Sequence, residues 1–478
     1  TDLTIDANEP DAALFGALAG LTAPPAPLRI NGRVERHDTG FRFQGVTARL
    51  GDYRAAVDGT LGELPKLIGT DLEIHAAGPG TALIRDLAGL PEIPDHAFSL
   101  DGKFSGTPER FSTRDFRLSF GPSDIEGSWT VDITGKPAVH ARLTSSVIDL
   151  GRLQARIEEH EQDSEGISEA ESPPADSGAL VIPDEPFDLE WLNAADADVK
   201  IRVDRFITPA KIFRDFELDF DLEHGRLEIN RLTAVGRGEG RMNGSLVLEP
   251  AGAGYHLHTD LAMRQLRLDI RGSNVDRMEQ PPIDVDIDFE SSGATPHELA
   301  SSADGVIKLV IGKGVLDSGV VELITADILL TLLNAFNPFA KQETATELQC
   351  GVALLSITDG NARLEPMAFQ SDKMTMLGNG KIDLQTEKLN LEWVTKPRKG
   401  IGISASMITN PYIRLGGTLS NPSVQLKEAE AVVSTGAAVA TMGLSLIAKG
   451  MFDRVTAEKK VCKKALKDIA TRTGGMQK

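Results

Sequence analysis

The sequence predicts a mainly β fold: an antiparallel sheet with short helices between groups of strands and a helical element at the C-terminus. Stretches such as "LRINGRVERHDTGFRFQGVTARLGDYRAAVDGTLG" alternate apolar and polar residues between glycine-containing turns, the pattern of successive antiparallel strands. The segment Asp2 to Leu21 recurs as Asp71 to Leu90, sixty-nine residues later. Asp2, Leu3, Ile5, Pro10, Ala13, Leu14, Leu18, Ala19, Gly20 and Leu21 each meet an identical partner at that offset, so the chain is read as an array of supersecondary units. With 46 Gly and 25 Pro among 478 residues, 41% of them hydrophobic, the composition suits a folded chain rich in turns.

Taken in order, residues 1–154 hold repeating strand units. Within the duplicated segment, "PDAALFGALAG" and "PGTALIRDLAG" each carry a capping position (Asp11, Thr81), an apolar helical pattern and a glycine stop (Gly20, Gly89), which predicts helices at about 11–20 and 80–89. In the strands that follow, Phe41 aligns with Phe111 and Gly51 with Gly121. Residues 155–180 include "EEHEQDSEGISEAESPPADSG" and have the charge and Pro/Ser/Gly content of a disordered acidic insertion. Strand patterns resume over 181–317. There "GRLEINRLTAVGRGEGRMNGSLVLE" from Gly225 resembles "ARLEPMAFQSDKMTMLGNGKIDL" from Ala362, with Leu227 matching Leu364, so the array is expected to continue.

Residues 318–339 predict a helix apolar nearly all round, capped by Ser318 and stopped by Pro338. A strand-rich unit over 340–427 follows, and residues 428–478 become Ala-rich and then basic, a C-terminal helical element. The uncharged run Val432 to Ala448 is too short and too rich in Ala, Gly, Ser and Thr to read as a membrane span.

A net charge of -20 argues against a nucleic-acid partner, because phosphate binding rests on Lys and Arg. The chain opens on Thr1 with no basic stretch ahead of an apolar one, and reads as a fragment or a processed product. Its two cysteines, Cys350 and Cys462, lack zinc spacing; a long-range disulfide between them would need an oxidising compartment.

No constellation of residues stands out as an active site, and neither a metal nor a cofactor is expected. His256 and His258 share one face of a strand but lack a third ligand nearby. Asp284, Asp286 and Asp288 could suggest calcium or acid/base chemistry, yet Ile283, Val285, Ile287 and Phe289 line the opposite face, so the carboxylates read as the wet side of a strand. "GRGEG" at 236–240 is not a phosphate-binding fingerprint, and Ser123 lacks nucleophile-elbow spacing.

What remains is a persistent apolar face. Leu227/Ile229, Leu246/Leu248, Met374/Met376 and Ile382/Leu384 each repeat it, as does Leu389/Leu391. Such a face must be buried against something. Either two sheets close as a sandwich, or one long curved sheet folds around an apolar guest. The recurring unit of one helix and several strands, the 5% aromatic content and the polar outer faces favour the second.

The stretches "DGKFSGTPERFSTRDFRLSFGPSDIEGSWTVDITGKPAVHARLTSSVIDL" (Asp101 to Leu150), "DLEWLNAADADVKIRVDRF" and Gly225 to Glu249 resemble the AsmA family of bacterial envelope proteins. The stretch from Thr358 to Leu426, with its G-T-L-x-N-P, is similar to that family's C-terminal region. The resemblance covers most of the chain through diffuse strand-and-turn patterns.

It implies an elongated, twisted repeating β-groove with an apolar concave face, on which the paired residues above would be lipid-contacting candidates. It also implies a periplasmic protein anchored in the inner membrane by a helix upstream of this sequence. Such a protein would carry phospholipids toward the outer membrane without chemistry of its own, with membranes and envelope proteins as partners. In an oxidising periplasm a Cys350 to Cys462 bond would staple the C-terminal helical element to the last strand-rich unit, the alternative being two buried thiols. A different class of function, an assembly factor pairing an exposed sheet edge with client strands of outer-membrane proteins, is the competing expectation.

Overall fold

A computed structural model describes residues 2–12, 25–37, 40–62, 67–81, 95–152, 180–208, 211–236, 240–267, 279–317, 345–372, 374–397, 412–427 and 461–473. The expected helices at 11–20 and 80–89, the acidic insertion, the "GRGEG" turn, the helix at 318–339 and the run 432–448 lie wholly or mostly outside these residues.

The described chain is mainly β and divides into two compact units, one of residues 1–171 and 189–236, the other of residues 172–188 and 237–478. The first holds twelve strands. β1 (Asp2–Glu9), β2 (Leu28–His37), β3 (Gly40–Leu50), β4 (Tyr53–Leu61), β5 (Asp71–Gly78), β6 (Phe98–Gly106), β7 (Arg110–Phe120), β8 (Ser123–Asp132) and β9 (Ala138–Asp149) pair antiparallel, each with the next. β10 (Asp196–Ile207) then lies parallel to β9, and β11 (Ile212–Glu223) and β12 (Arg226–Val235) resume the antiparallel order.

The repeat is built into this pairing. β3 and β7 start at Gly40 and Arg110 and end before Gly51 and Gly121, which take φ of 56° and 54° and turn the chain. Gly45 in β3 and Asp115 in β7 also have positive φ, and the register slips at each, leaving a bulge in the same place of both copies. Asp215 repeats the device in β11, where the chain again reads Arg-Asp-Phe. An extra residue in a strand bends it and increases its twist.

The second unit holds β13 (Arg241–Ala251), β14 (Gly254–Leu266), β15 (Ile283–Gly293), β16 (Asp304–Ile311), β17 (Gly314–Asp317), β18 (Ala345–Thr358), β19 (Asn361–Ser371), β20 (Met374–Asp383), β21 (Lys388–Pro397), β22 (Tyr412–Gly417) and β23 (Pro422–Lys427). All pairings are antiparallel and sequential, except that β16 and β17 both pair with β18 and act as one interrupted strand. The turns His224-Gly225 and Asp359-Gly360, all four residues at positive φ, set the related segments 135 residues apart and align Leu227 with Ala362. This is two residues from the match read in the sequence, and a shift of two keeps the same face.

Helix α1 (Pro296–Ser301) joins β15 to β16; Thr295 caps it by accepting from the Glu298 amide, and the Glu298 carboxylate accepts from the Ala294 amide. Residues 180–188 strap themselves along this unit. The Val181 and Ile182 amides donate to the carboxylate of Glu387, which is 1% exposed, and the Phe187 amide donates to the Ala294 carbonyl. Helix α2 (Val461–Thr473) packs on β18 and β19, and Cys462 is disulfide-bonded to Cys350 across 112 residues.

Candidate functional site

Residues directly opposite in a sheet project from the same face, so the register shows which side chains form a common surface. In the first unit one row crosses all twelve strands: Leu3, Val34, Phe43, Gly59, Leu72, Phe104, Thr113, Trp129, Ala141, Val199, Phe220 and Ile229. Thr113 is its one polar member. A neighbouring row runs through Phe111, Val131, Val139, Ala197, Leu222 and Leu227. The sequence candidates Leu227 and Ile229 thus head two adjacent apolar rows, and Phe104, Phe111 and Trp129 form a ring cluster between those rows.

The second unit repeats this arrangement. Leu246, Thr259, Phe289, Gly305, Ile357, Ala362, Ile382 and Leu389 share one row, which brings the candidates Leu246 and Ile382 onto a single face. Leu248 joins it beside Leu257, and Met376 through Phe369, Gly351, Ile311 and Ile283. Leu384 follows β20 and packs with Ile382 against Ala303, Ile357 and Ala362. Met374 opens β20, and its side chain lies outside the described residues.

Burial separates these candidates. Leu246, Leu248, Leu257, Leu261 and Ile287 are half-buried, whereas Met376, 3% exposed, sits in a packed cluster with Met367, Leu391, Trp393 and Leu415. The β13–β16 part of the face therefore has apolar surface to offer, and the β19–β22 part is already a core.

The opposite faces are ladders of ion pairs. In the first unit Arg110 pairs with Asp132 at 2.7 Å, Arg142 with Asp198 at 2.8 Å and Lys136 with Asp196 at 2.6 Å. Arg142 holds the Asp198 carboxyl below the usual range, and Lys136, helped by the His224 amide, does the same to Asp196. Hydrogen bonding to Asp101 raises His75.

In the second unit Asp286 pairs with Arg264 and Lys308, and Asp284 accepts the amide of Gln265, a positive-φ bulge residue, at 2.7 Å. The carboxylates of β15 are thus the wet side of a strand, and two of them also hold its neighbours. His256 bonds Ser292, and no group of three or more His, Cys, Asp or Glu that could hold a metal occurs among the described residues. Helix α2 covers part of this polar side, burying Val352, Leu354 and Ala368 under Val461, Cys462, Ala465 and Ile469.

Alternation within a strand revealed the candidates, but the aromatic residues Phe43, Phe104, Trp129 and Phe220 were missed. Their membership depends on pairing between strands, which alternation does not encode. The repeated Arg-Asp-Phe was the available signal for the bulges at Asp115 and Asp215.

Fold and surface together define a class: β proteins of repeated strand groups in which one face is apolar across successive strands and the other is charged. Residues 112–367, more than half of the chain, match the family model described as the AsmA family, and the chain belongs to that family. It is 25% identical over 414 residues to the AsmA family protein YhjG of Escherichia coli (strain K12), an alignment covering 82% of this chain and 58% of that protein. The chain therefore spans less than two thirds of the length of that relative. No solved structure matches significantly. Membership in the family suggests a function related to the cell envelope.

Proposed function

We propose that this protein carries phospholipids between the inner and outer membranes, as a periplasmic bridge whose apolar sheet face accepts acyl chains. It thereby supports outer-membrane homeostasis and performs no chemical step. The observation that carries this reading is the twelve-strand row from Leu3 to Ile229, with its half-buried counterpart around Leu246 in the second unit. Each acyl CH₂ taken from water gains about 0.8 kcal/mol, so a chain laid against such a row is held without a directional bond and slides along it at little cost. The charged opposite face keeps the loaded protein in solution.

Native mass spectrometry of the purified protein tests this. Phospholipid should be bound, and Leu246→Glu with Leu261→Glu should lower the bound fraction by an order of magnitude or so while the circular dichroism is kept. Full loading of that variant would remove the β13–β16 part of the apolar face from consideration. An empty wild-type protein that captures unfolded outer-membrane strands would point instead to an assembly factor.

A further inference from the structure

The two copies of the repeated strands, β2–β4 and β6–β8, differ sharply in charge at one row. Arg29 of β2 stands directly opposite Arg49 of β3, and Arg49 opposite Arg54 of β4. Seventy residues later the same places hold Ser99, Ser119 and Asp124, again directly opposite one another. There the Ser99 and Ser119 hydroxyls share a hydrogen bond at 2.6 Å, and Asp124 accepts the amides of Ser146 and Val147. The second copy thus makes the same strand pairing without an arginine in this row, so the architecture does not require three in the first.

Like charges directly opposite on adjacent strands repel, and such neighbours lie only about 5 Å apart. Elsewhere on the charged faces arginines meet carboxylates, as Arg33 meets Asp2, Arg110 meets Asp132 and Arg142 meets Asp198. Arg29, Arg49 and Arg54 are exposed, and no ion pair among the described residues holds any of them; Arg29 donates to the side-chain oxygen of Asn8 at 3.2 Å. Asp6, opposite Asn31, and Asp52, in the β3–β4 turn, are the carboxylates nearest in register, and neither pairs with the row. Residues 13–24, which lie in the connection from β1 to β2, contain no Asp or Glu.

We propose that Arg29, Arg49 and Arg54 form a binding site for a short anion carrying two adjacent phosphate groups. A terminal phosphate offers three acceptor oxygens and nearly two charges, so one group accepts from two neighbouring guanidinium forks, whereas a carboxylate, with two oxygens and one charge, balances a single arginine. Two phosphates therefore match a line of three arginines. The net charge of -20 repels long polyanions, which restricts the ligand to a short one. The row lies on the face opposite Leu28, Leu50 and Tyr53, so the site is separate from the apolar surface and does not depend on lipid carriage.

Calorimetric titration of the full chain with inorganic diphosphate at low salt tests this. Diphosphate should bind, and orthophosphate and citrate should bind about tenfold more weakly. Arg49→Lys, which keeps the charge and loses the fork, should weaken diphosphate about tenfold. Installing the row of the second copy, Arg29→Ser with Arg49→Ser and Arg54→Asp, should abolish binding while the circular dichroism is kept. Arg117→Gln, at an exposed arginine beside Glu126, should leave binding unchanged. Phosphatidylcholine vesicles carrying diacylglycerol diphosphate separate the sources of the ligand. Flotation of the wild type with them, and not of the triple variant, makes it a lipid headgroup; binding of free diphosphate alone makes it a soluble anion. Binding of neither would overturn the proposal, as would citrate binding as tightly as diphosphate, undiminished binding by Arg49→Lys or the triple variant, or an equal loss in Arg117→Gln.

Discussion

Thr113 occupies the one polar place in a row of twelve, between Phe104 and Trp129. It is 1% exposed, and its Oγ1 has no hydrogen-bond partner. A hydroxyl buried in this way costs about 1–3 kcal/mol relative to one that is bonded, while valine fills nearly the same volume. Thr113→Val should therefore raise unfolding stability by about 1 kcal/mol in urea with no change in slope; a loss of stability would mean that the hydroxyl is bonded in solution. At this scale the sequence was partly readable. Leu227, Ile229, Leu246, Leu248 and Ile382 could be assigned to the apolar face of their strands because a strand alternates with period two. Alternation is silent about what covers a side chain, so Met376 looked like Leu246 and lies instead in a packed core.

Among the elements, α2 depends most on a single link. A thirteen-residue helix is marginal on its own, and its apolar stripe of Val461, Cys462, Ala465 and Ile469 is held over Val352, Leu354 and Ala368 beside the Cys350–Cys462 bond. Replacing both cysteines by serine should cost about 2–4 kcal/mol. The loss should be read locally, as faster exchange of the α2 amides with β3 to β5 unaffected. If α2 kept its protection, its packing alone would suffice. The repeat of β3 by β7 was legible from Phe41 and Phe111. The bulges at Asp115 and Asp215 were not read, although Arg-Asp-Phe recurs at both, because positive φ is unusual for an aspartate.

Across the whole molecule the charged faces set the response to pH. Asp132, Asp196, Asp198, Glu347 and Asp383 are all held below the ordinary carboxylate range, chiefly by Arg110, Lys136, Arg142, Lys313 and Thr386 respectively. Each contributes stability that is present above its unfolded value, near pH 4, and is lost as pH falls through the lower folded value. His75 has the opposite sign: its contribution is complete below about pH 6.5 and fades as pH rises through the raised folded value. Thermal unfolding should thus show a plateau from about pH 4 to 6.5, a shallow decline above it and a steeper one below. Salt should flatten both limbs, because these pairs are largely exposed. A profile centred well above pH 7 would contradict the assignment. The mainly antiparallel β fold was readable from turns and alternation. The two interleaved compact units and the parallel pairing of β10 with β9 were not, because an alternating pattern carries no strand direction.

That parallel pairing shapes how the chain folds. Antiparallel neighbours such as β3 and β4 meet through a two-residue turn, within microseconds for an isolated hairpin. β9 and β10 align Ala138 with Asp196, so a long crossover must close before a single ladder bond forms. Local strand groups can therefore assemble early on either side of this junction, while their joining is entropically costly and comes late. Until then the unpaired backbone edges of β9 and β10 are exposed to other chains, and this seam is a place where misassembly can start.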